Sequence, residues 1–140
     1  AKMSKSIGNT IDLKDDAKTV TKKVMSMYTD PTRLRATDPG NVEGNPVFMY
    51  HDAFNPDIEE INDLKERYRT GNVGDVEVKQ KLAAALNTLL DPIRKRRSRY
   101  EANPQLVRDA LAKGTEHARA VAQETMAEVR MALKLNYLDG

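Results

Sequence analysis

Two lysines three positions apart, in the run Lys2-Met3-Ser4-Lys5-Ser6, make the most chemically loaded stretch of the 140 residues. Ammonium groups on flexible stems neutralise the charge of a polyphosphate, and the two hydroxyls add hydrogen-bond donors. Gly8 and Asn9 follow, and a helix is expected to begin soon after. Phosphates are only part of a nucleotide, and the surface for base and sugar would normally precede such a loop. The expectation is a C-terminal part of a larger enzyme, joined at a catalytic loop. The plainer alternative is a solvated terminus, where Lys and Ser are common.

A second cationic run is Arg94-Lys95-Arg96-Arg97-Ser98-Arg99. On a helix these side chains wrap most of the circumference. Two readings stay open. One is a solvated helix end, with cations favouring the C-terminal dipole and pairing with Asp91 or Glu101. The other is phosphate contact with RNA through Arg94, Arg96, Arg97 and Arg99, which would make binding salt-dependent. Tyr100 could stack on an unpaired base, but core packing is the simpler expectation because it continues an apolar stripe.

Other suggestive residues have quieter explanations. His51 stands beside Asp52 and His117 beside Glu116, yet helical neighbours point about 100° apart. No third metal ligand is evident, so packing or a surface hydrogen bond is expected for both. Asp12, Asp15 and Asp16 suit helix N-capping better than a metal cluster. Met25, Met27, Met126 and Met131 read as core and interface filler. No metal site is expected.

The framework that must position these groups is helical. Val20, Val24 and Met27 repeat behind Asp15 or Asp16 as N-cap. Residues 29–45 read as loop, punctuated by Pro31, Pro39, Gly40 and Gly44. Pro46 opens a short helix carrying Val47, Phe48, Tyr50 and Phe54. Beyond Asn55-Pro56 a further helix carries Ile58, Ile61, Leu64 and Tyr68. Asp75 caps the longest helix, with Leu82, Leu86, Leu89, Ile93 and Tyr100 as its stripe and Pro92 expected to kink it. Pro104 starts a short helix that Gly114 should stop. A last helix carries Ala118, Val121, Ala122, Thr125, Met126, Val129 and Leu133. No segment alternates with period two, so the fold class is all-α, a small helical bundle.

Composition agrees. Charged residues make up 31% and the net charge is only +2, so bulk charge demands no nucleic-acid partner. No apolar run approaches the roughly 18 residues of a membrane helix. Cys is absent, which rules out disulfides and thiolate metal sites and fits a cytoplasmic location.

Lys2-Met3-Ser4-Lys5-Ser6 with Ile7-Gly8-Asn9 resembles the signature loop (KMSKS) of class I aminoacyl-tRNA synthetases. Further stretches are similar to the bacterial tryptophanyl-tRNA synthetases: Met25-Ser26-Met27-Tyr28-Thr29-Asp30-Pro31, Pro39 through Phe48, Tyr50-His51-Asp52-Ala53-Phe54, Gly74 through Lys79, and Leu90-Asp91-Pro92-Ile93-Arg94. The likeness runs over essentially the whole chain and favours the tryptophan family over its tyrosine relative. It implies a Rossmann ATP-binding domain, then the lysine loop, then a helical anticodon-binding domain. Residues 1–14 would be the loop and link, and 15–140 the anticodon-binding part.

By the same resemblance, Lys2 and Lys5 are the catalytic cations, and Lys2, Met3, Ser4, Lys5 and Ser6 contact ATP. The implied partners are ATP with Mg2+, L-tryptophan and tRNA(Trp), in a parent that is typically a homodimer. The family's His-Ile-Gly-His type motif and its tryptophan pocket are not among these residues. The fragment alone is therefore expected to be inactive and to hold no cofactor. Two alternatives remain: the corresponding part of a tyrosine enzyme, and a stand-alone helical RNA-binding module.

Overall fold

The computed structural model describes residue 4 and residues 6–135. Five helices follow in order: α1 (Ala17–Met25), α2 (Pro46–Phe54), α3 (Ile58–Arg69), α4 (Asp75–Ala102) and α5 (Pro104–Ala132). Among the described residues there is no strand, so the protein is all-α.

Local chemistry sets the helix starts. The Asp16 carboxylate accepts the Thr19 N–H at 2.6 Å. Asn45 does the same for Val47 at 3.0 Å, with Pro46 pre-set for the first helical position. Asp57 caps α3 through Glu60 N–H at 2.9 Å. Asp15 ion-pairs with Lys23 at 2.6 Å. Capping accounts for Asp16 and pairing for Asp15.

Residues 1–96 form one compact unit and residues 97–140 a second. The first holds the core. Val20 and Val24 of α1, Val47 and Phe48 of α2, Leu64 and Tyr68 of α3, and Val78, Leu82, Leu86 and Leu90 of α4 are all buried in one cluster. Each fully buried side chain of this size contributes about 1.5–3 kcal/mol. Residues 29–45 are irregular, as their Pro and Gly content predicts.

Several expectations are corrected. Leu90, not Leu89, continues the α4 stripe, because the spacing of four from Val78 through Leu82 and Leu86 lands there; Leu89 is exposed. Ile58 and Phe54 are exposed at helix ends. Gly114 does not end a helix, and α5 runs through it for 29 residues. A glycine stops a helix by adopting positive φ, and Gly114 is not among the glycines that do. Its mid-helix cost, about 1 kcal/mol, is spread over a long helix.

The second unit holds the end of α4 and all of α5. No residue of α5 is buried, so Met126 and Met131 are exposed, not core filler. Tyr100 is half exposed, not packed in the core. Pro92 lies inside the continuous α4, where it withholds an N–H from the Thr88 carbonyl.

Candidate functional site

Ser4 is the described anchor of the lysine loop; Lys2, Met3 and Lys5 lie outside the described residues. Every polar backbone atom of Ser4 is engaged. Its N–H donates to Asn9 Oδ1 at 2.9 Å, and its carbonyl accepts the Gly8 N–H at 3.2 Å. Its hydroxyl accepts the Ile7 N–H at 3.3 Å and lies 3.0 Å from the Ser6 hydroxyl. The ring closes because Gly8 adopts φ +74°, a left-handed conformation that costs other residues about 1–2 kcal/mol. The two hydroxyls thus sit side by side in a turn whose residues 6–9 are all exposed.

Beside this turn lies a groove of about 760 Å³, lined by Gly8, Asn9, Ile11, Met27, Tyr28 and Tyr50 among others. Its character is mainly apolar. Lys23, also on its wall, has its ammonium committed to Asp15.

The arginine run divides by environment. Arg94 is structural: its Nε donates to the Asp15 carbonyl at 2.8 Å and its Nη2 to Asn87 Oδ1 at 2.8 Å. That bond ties α4 to the start of α1. Lys95 pairs with Asp91 at 2.8 Å and Arg97 with Glu101 at 2.7 Å, both one turn away and exposed. Such exposed pairs are weak and exchange readily for other anions. Arg96, the last residue of the first unit, and Arg99, in the second, are both exposed.

His51 takes the quiet role expected of it. The ring is fully buried in α2, and its Nε2 lies 3.0 Å from the Val78 carbonyl of α4. A carbonyl only accepts, so Nε2 carries the proton and Nδ1 accepts from Asn55 Nδ2 at 3.2 Å. Burial holds the imidazole below its ordinary pKa. His117 is exposed on α5.

Two buried cations escaped the sequence reading. Arg33, from the 29–45 loop, donates to the carbonyls of Asp38 (2.9 Å), Ala36 (2.6 Å) and Val73 (2.7 Å). Lys79 of α4 donates to the carbonyls of Met25 (3.2 Å) and Met27 (2.6 Å) at the end of α1. Neither has a local signal, because their acceptors include residues 40 and 54 positions away along the chain.

The comparisons point one way. The family described as tRNA synthetases class I (W and Y) matches residues 1–91. The chain is 57% identical over 136 residues to the tryptophan–tRNA ligase of Treponema pallidum, covering 97% of this chain and 40% of that protein. It is 51% identical to the ligase of Chlamydia caviae, covering 96% of this chain and 39% of that one. A crystal structure of tryptophanyl-tRNA synthetase from Campylobacter jejuni superposes with a TM-score of 0.79 at 31% identity, covering 96% of this chain and 42% of that chain. A second structure of the Campylobacter enzyme, complexed with ADP and tryptophan, gives 0.80, covering 96% of this chain and 41% of that chain. The chain thus spans about 40% of the length of the relatives it matches. Its sequence and fold place it in a known group: the chain belongs to the class I tRNA synthetases of the W and Y family.

Proposed function

We propose that the chain is the helical part, with the lysine loop, of a ligase that activates L-tryptophan with ATP and charges tRNA(Trp). In that reading Lys2 and Lys5 act on ATP, and the helical region from residue 15 onward meets the anticodon arm. The parent would be a cytoplasmic homodimer. The tryptophan-enzyme relatives over nearly the whole chain support this choice over a tyrosine enzyme.

The observation that carries the loop assignment is the Ser4–Asn9 turn, which brings the Ser4 and Ser6 hydroxyls within 3.0 Å on an exposed surface. Hydroxyls flanked by lysines form a donor set that suits phosphate oxygens. ATP, with Mg2+ as counterion, brings the leaving pyrophosphate. The chain's part is to place positive charge and donors where negative charge accumulates as that group departs. Mobile cations suit the task because the charge moves during the step. These 140 residues alone are expected to be inactive.

Exposed Arg96 and Arg99 support an RNA contact. Arg97, only loosely paired, can join them, whereas Arg94 is held by α1 and contributes less.

The decisive experiment is Lys5→Ala in the full-length protein. Tryptophan-dependent ATP–pyrophosphate exchange should fall strongly while tryptophan binding stays nearly intact; unchanged exchange removes the catalytic role. For RNA, filter binding of the chain to tRNA(Trp) should weaken steeply between low and high salt. Absence of salt-sensitive binding at any concentration removes the RNA role.

A further inference from the structure

We propose that Asn9 is a positioning residue for the lysine loop, tying Ser4 to the turn that follows by accepting the Ser4 N–H. This rests on the catalytic reading of the loop given above.

Four hydrogen bonds define the turn. Two join Ser4 to residues 6 and 7 through its hydroxyl, and one joins its carbonyl to Gly8. The fourth, from Ser4 N–H to Asn9 Oδ1, is the widest-reaching, spanning five residues. It is also the one bond of the set that a side chain outside the lysine motif supplies. Without it the Ser4 N–H turns to water, and Ser4 is no longer tied to the chain leaving the turn at residue 9.

Position 5 lies inside this ring in the sequence. A loop that must bring an ammonium to a departing phosphate gains from a fixed base, because misplacement by an ångström costs rate far more than affinity. Gly8 makes the geometry possible. Its φ of +74° reverses the chain so that residue 9 faces residue 4. Among the described residues, chain neighbours aside, no atom lies within 4 Å of a Cβ built on Gly8. The glycine is therefore needed for its backbone angle and not for space.

The acceptor, not the amide as a whole, is what the turn uses. Asn9→Asp keeps an oxygen in place and Asn9→Ala removes it, which separates a hydrogen-bond role from a packing role.

Two readouts test the proposal. In the 15N-labelled full-length protein, Asn9→Ala should speed hydrogen exchange at the Ser4 amide about fivefold or more, the scale of one lost hydrogen bond. Asn9→Asp should leave it near the wild-type rate. In ATP–pyrophosphate exchange, Asn9→Ala should lower kcat about tenfold or more with KM for tryptophan unchanged, and Asn9→Asp should restore most of the loss.

Ser4 exchange unaffected by Asn9→Ala overturns the proposal at its geometric base. Faster amide exchange with unchanged kcat overturns it at the functional step. Equal loss of kcat in both variants overturns it as well, since an acceptor role would be rescued. Failure of the underlying catalytic reading shows separately, as full activity in Lys5→Ala, and leaves the amide measurement untouched.

Discussion

The guanidinium of Arg33 lies 4.1 Å from the centroid of the Tyr68 ring. The same ring meets the edge of Phe48 at 4.9 Å between centroids. The Tyr68 hydroxyl donates to Asp75 at 2.7 Å, and Arg33 Nη1 stands 3.5 Å from that same carboxylate oxygen. One loop residue, one α3 residue and the first residue of α4 thus share a single charged contact. This stack anchors the irregular 29–45 segment to the core through Tyr68 and Phe48.

Arg33→Lys should therefore be far from conservative. A lysine ammonium cannot span the Asp38, Ala36 and Val73 carbonyls from one plane, nor lie flat on the tyrosine. At least one buried carbonyl loses its partner, at about 1–3 kcal/mol, and the cation–π contact adds about 1–2 kcal/mol. Urea unfolding should show a loss of about 2–5 kcal/mol. A change below about 0.5 kcal/mol would mean that the stack is dispensable.

Much of the first unit was legible because its signals are local. Asp16 and Pro46 announce the starts of α1 and α2 from their own positions in the sequence. Val20, Val24, Leu64 and Leu82 fall on helical spacing. Arg33 and Lys79 were not legible, since their value lies in carbonyls that only the folded chain brings near. Gly114 misled because glycine stops a helix only in a conformation that the sequence does not encode. The candidate site was half legible: the lysine motif announces itself, but the Asn9 bond to Ser4 depends on the backbone angle at Gly8. The Arg94–Arg99 run showed its charge without showing that Arg94 would be claimed by the Asp15 carbonyl.

Lys79→Met tests the second hidden cation. The Lys79 ammonium caps the negative end of α1 and satisfies two carbonyls in a partly buried position. Methionine keeps the length and removes the donors. Stability should fall by about 2–3 kcal/mol, with the amides of the last turn of α1 exchanging faster than those of α3. A uniform change across both helices would argue against a local capping role.

Two glycine-to-alanine changes should act in opposite directions. At Gly40 a Cβ would overlap the Tyr68 ring and the Arg33 side chain, both buried and both held by other contacts. Overpacking of this kind costs about 1–3 kcal/mol. At Gly114 nothing lies within 4 Å of the added carbon, and the residue sits mid-helix. Gly114→Ala should raise stability of α5 by about 0.5–1 kcal/mol, seen as higher helical circular dichroism on warming. The same sign for both variants would contradict the packing described.

His51 gives the pH dependence. Its ring is neutral in the fold, with Nε2–H committed to Val78 and Nδ1 accepting from Asn55. Burial lowers its pKa, and this outweighs the favourable charges of Glu60 and Asp52; Lys65 lowers it further. The unfolded chain therefore binds this proton at a higher pH than the folded one. Stability is full above the unfolded value, about 6.5, and falls as the pH drops through the folded value below it, by at most about 1.4 kcal/mol per pH unit. Acidification would also set two donors against each other at Asn55. That side chain accepts the Asp57 N–H at 3.1 Å and donates to Glu60 at 3.1 Å, so it cannot turn over without breaking the start of α3. Glu60 is itself held below the usual carboxylate range by Lys81 and Asn55, and its contribution is lost only at more acidic pH. Urea titrations between pH 7 and pH 5 should show the decline in the wild type and a flatter profile in His51→Gln, which starts less stable but has no proton to gain. Parallel profiles in the two proteins would assign the acid sensitivity to other groups.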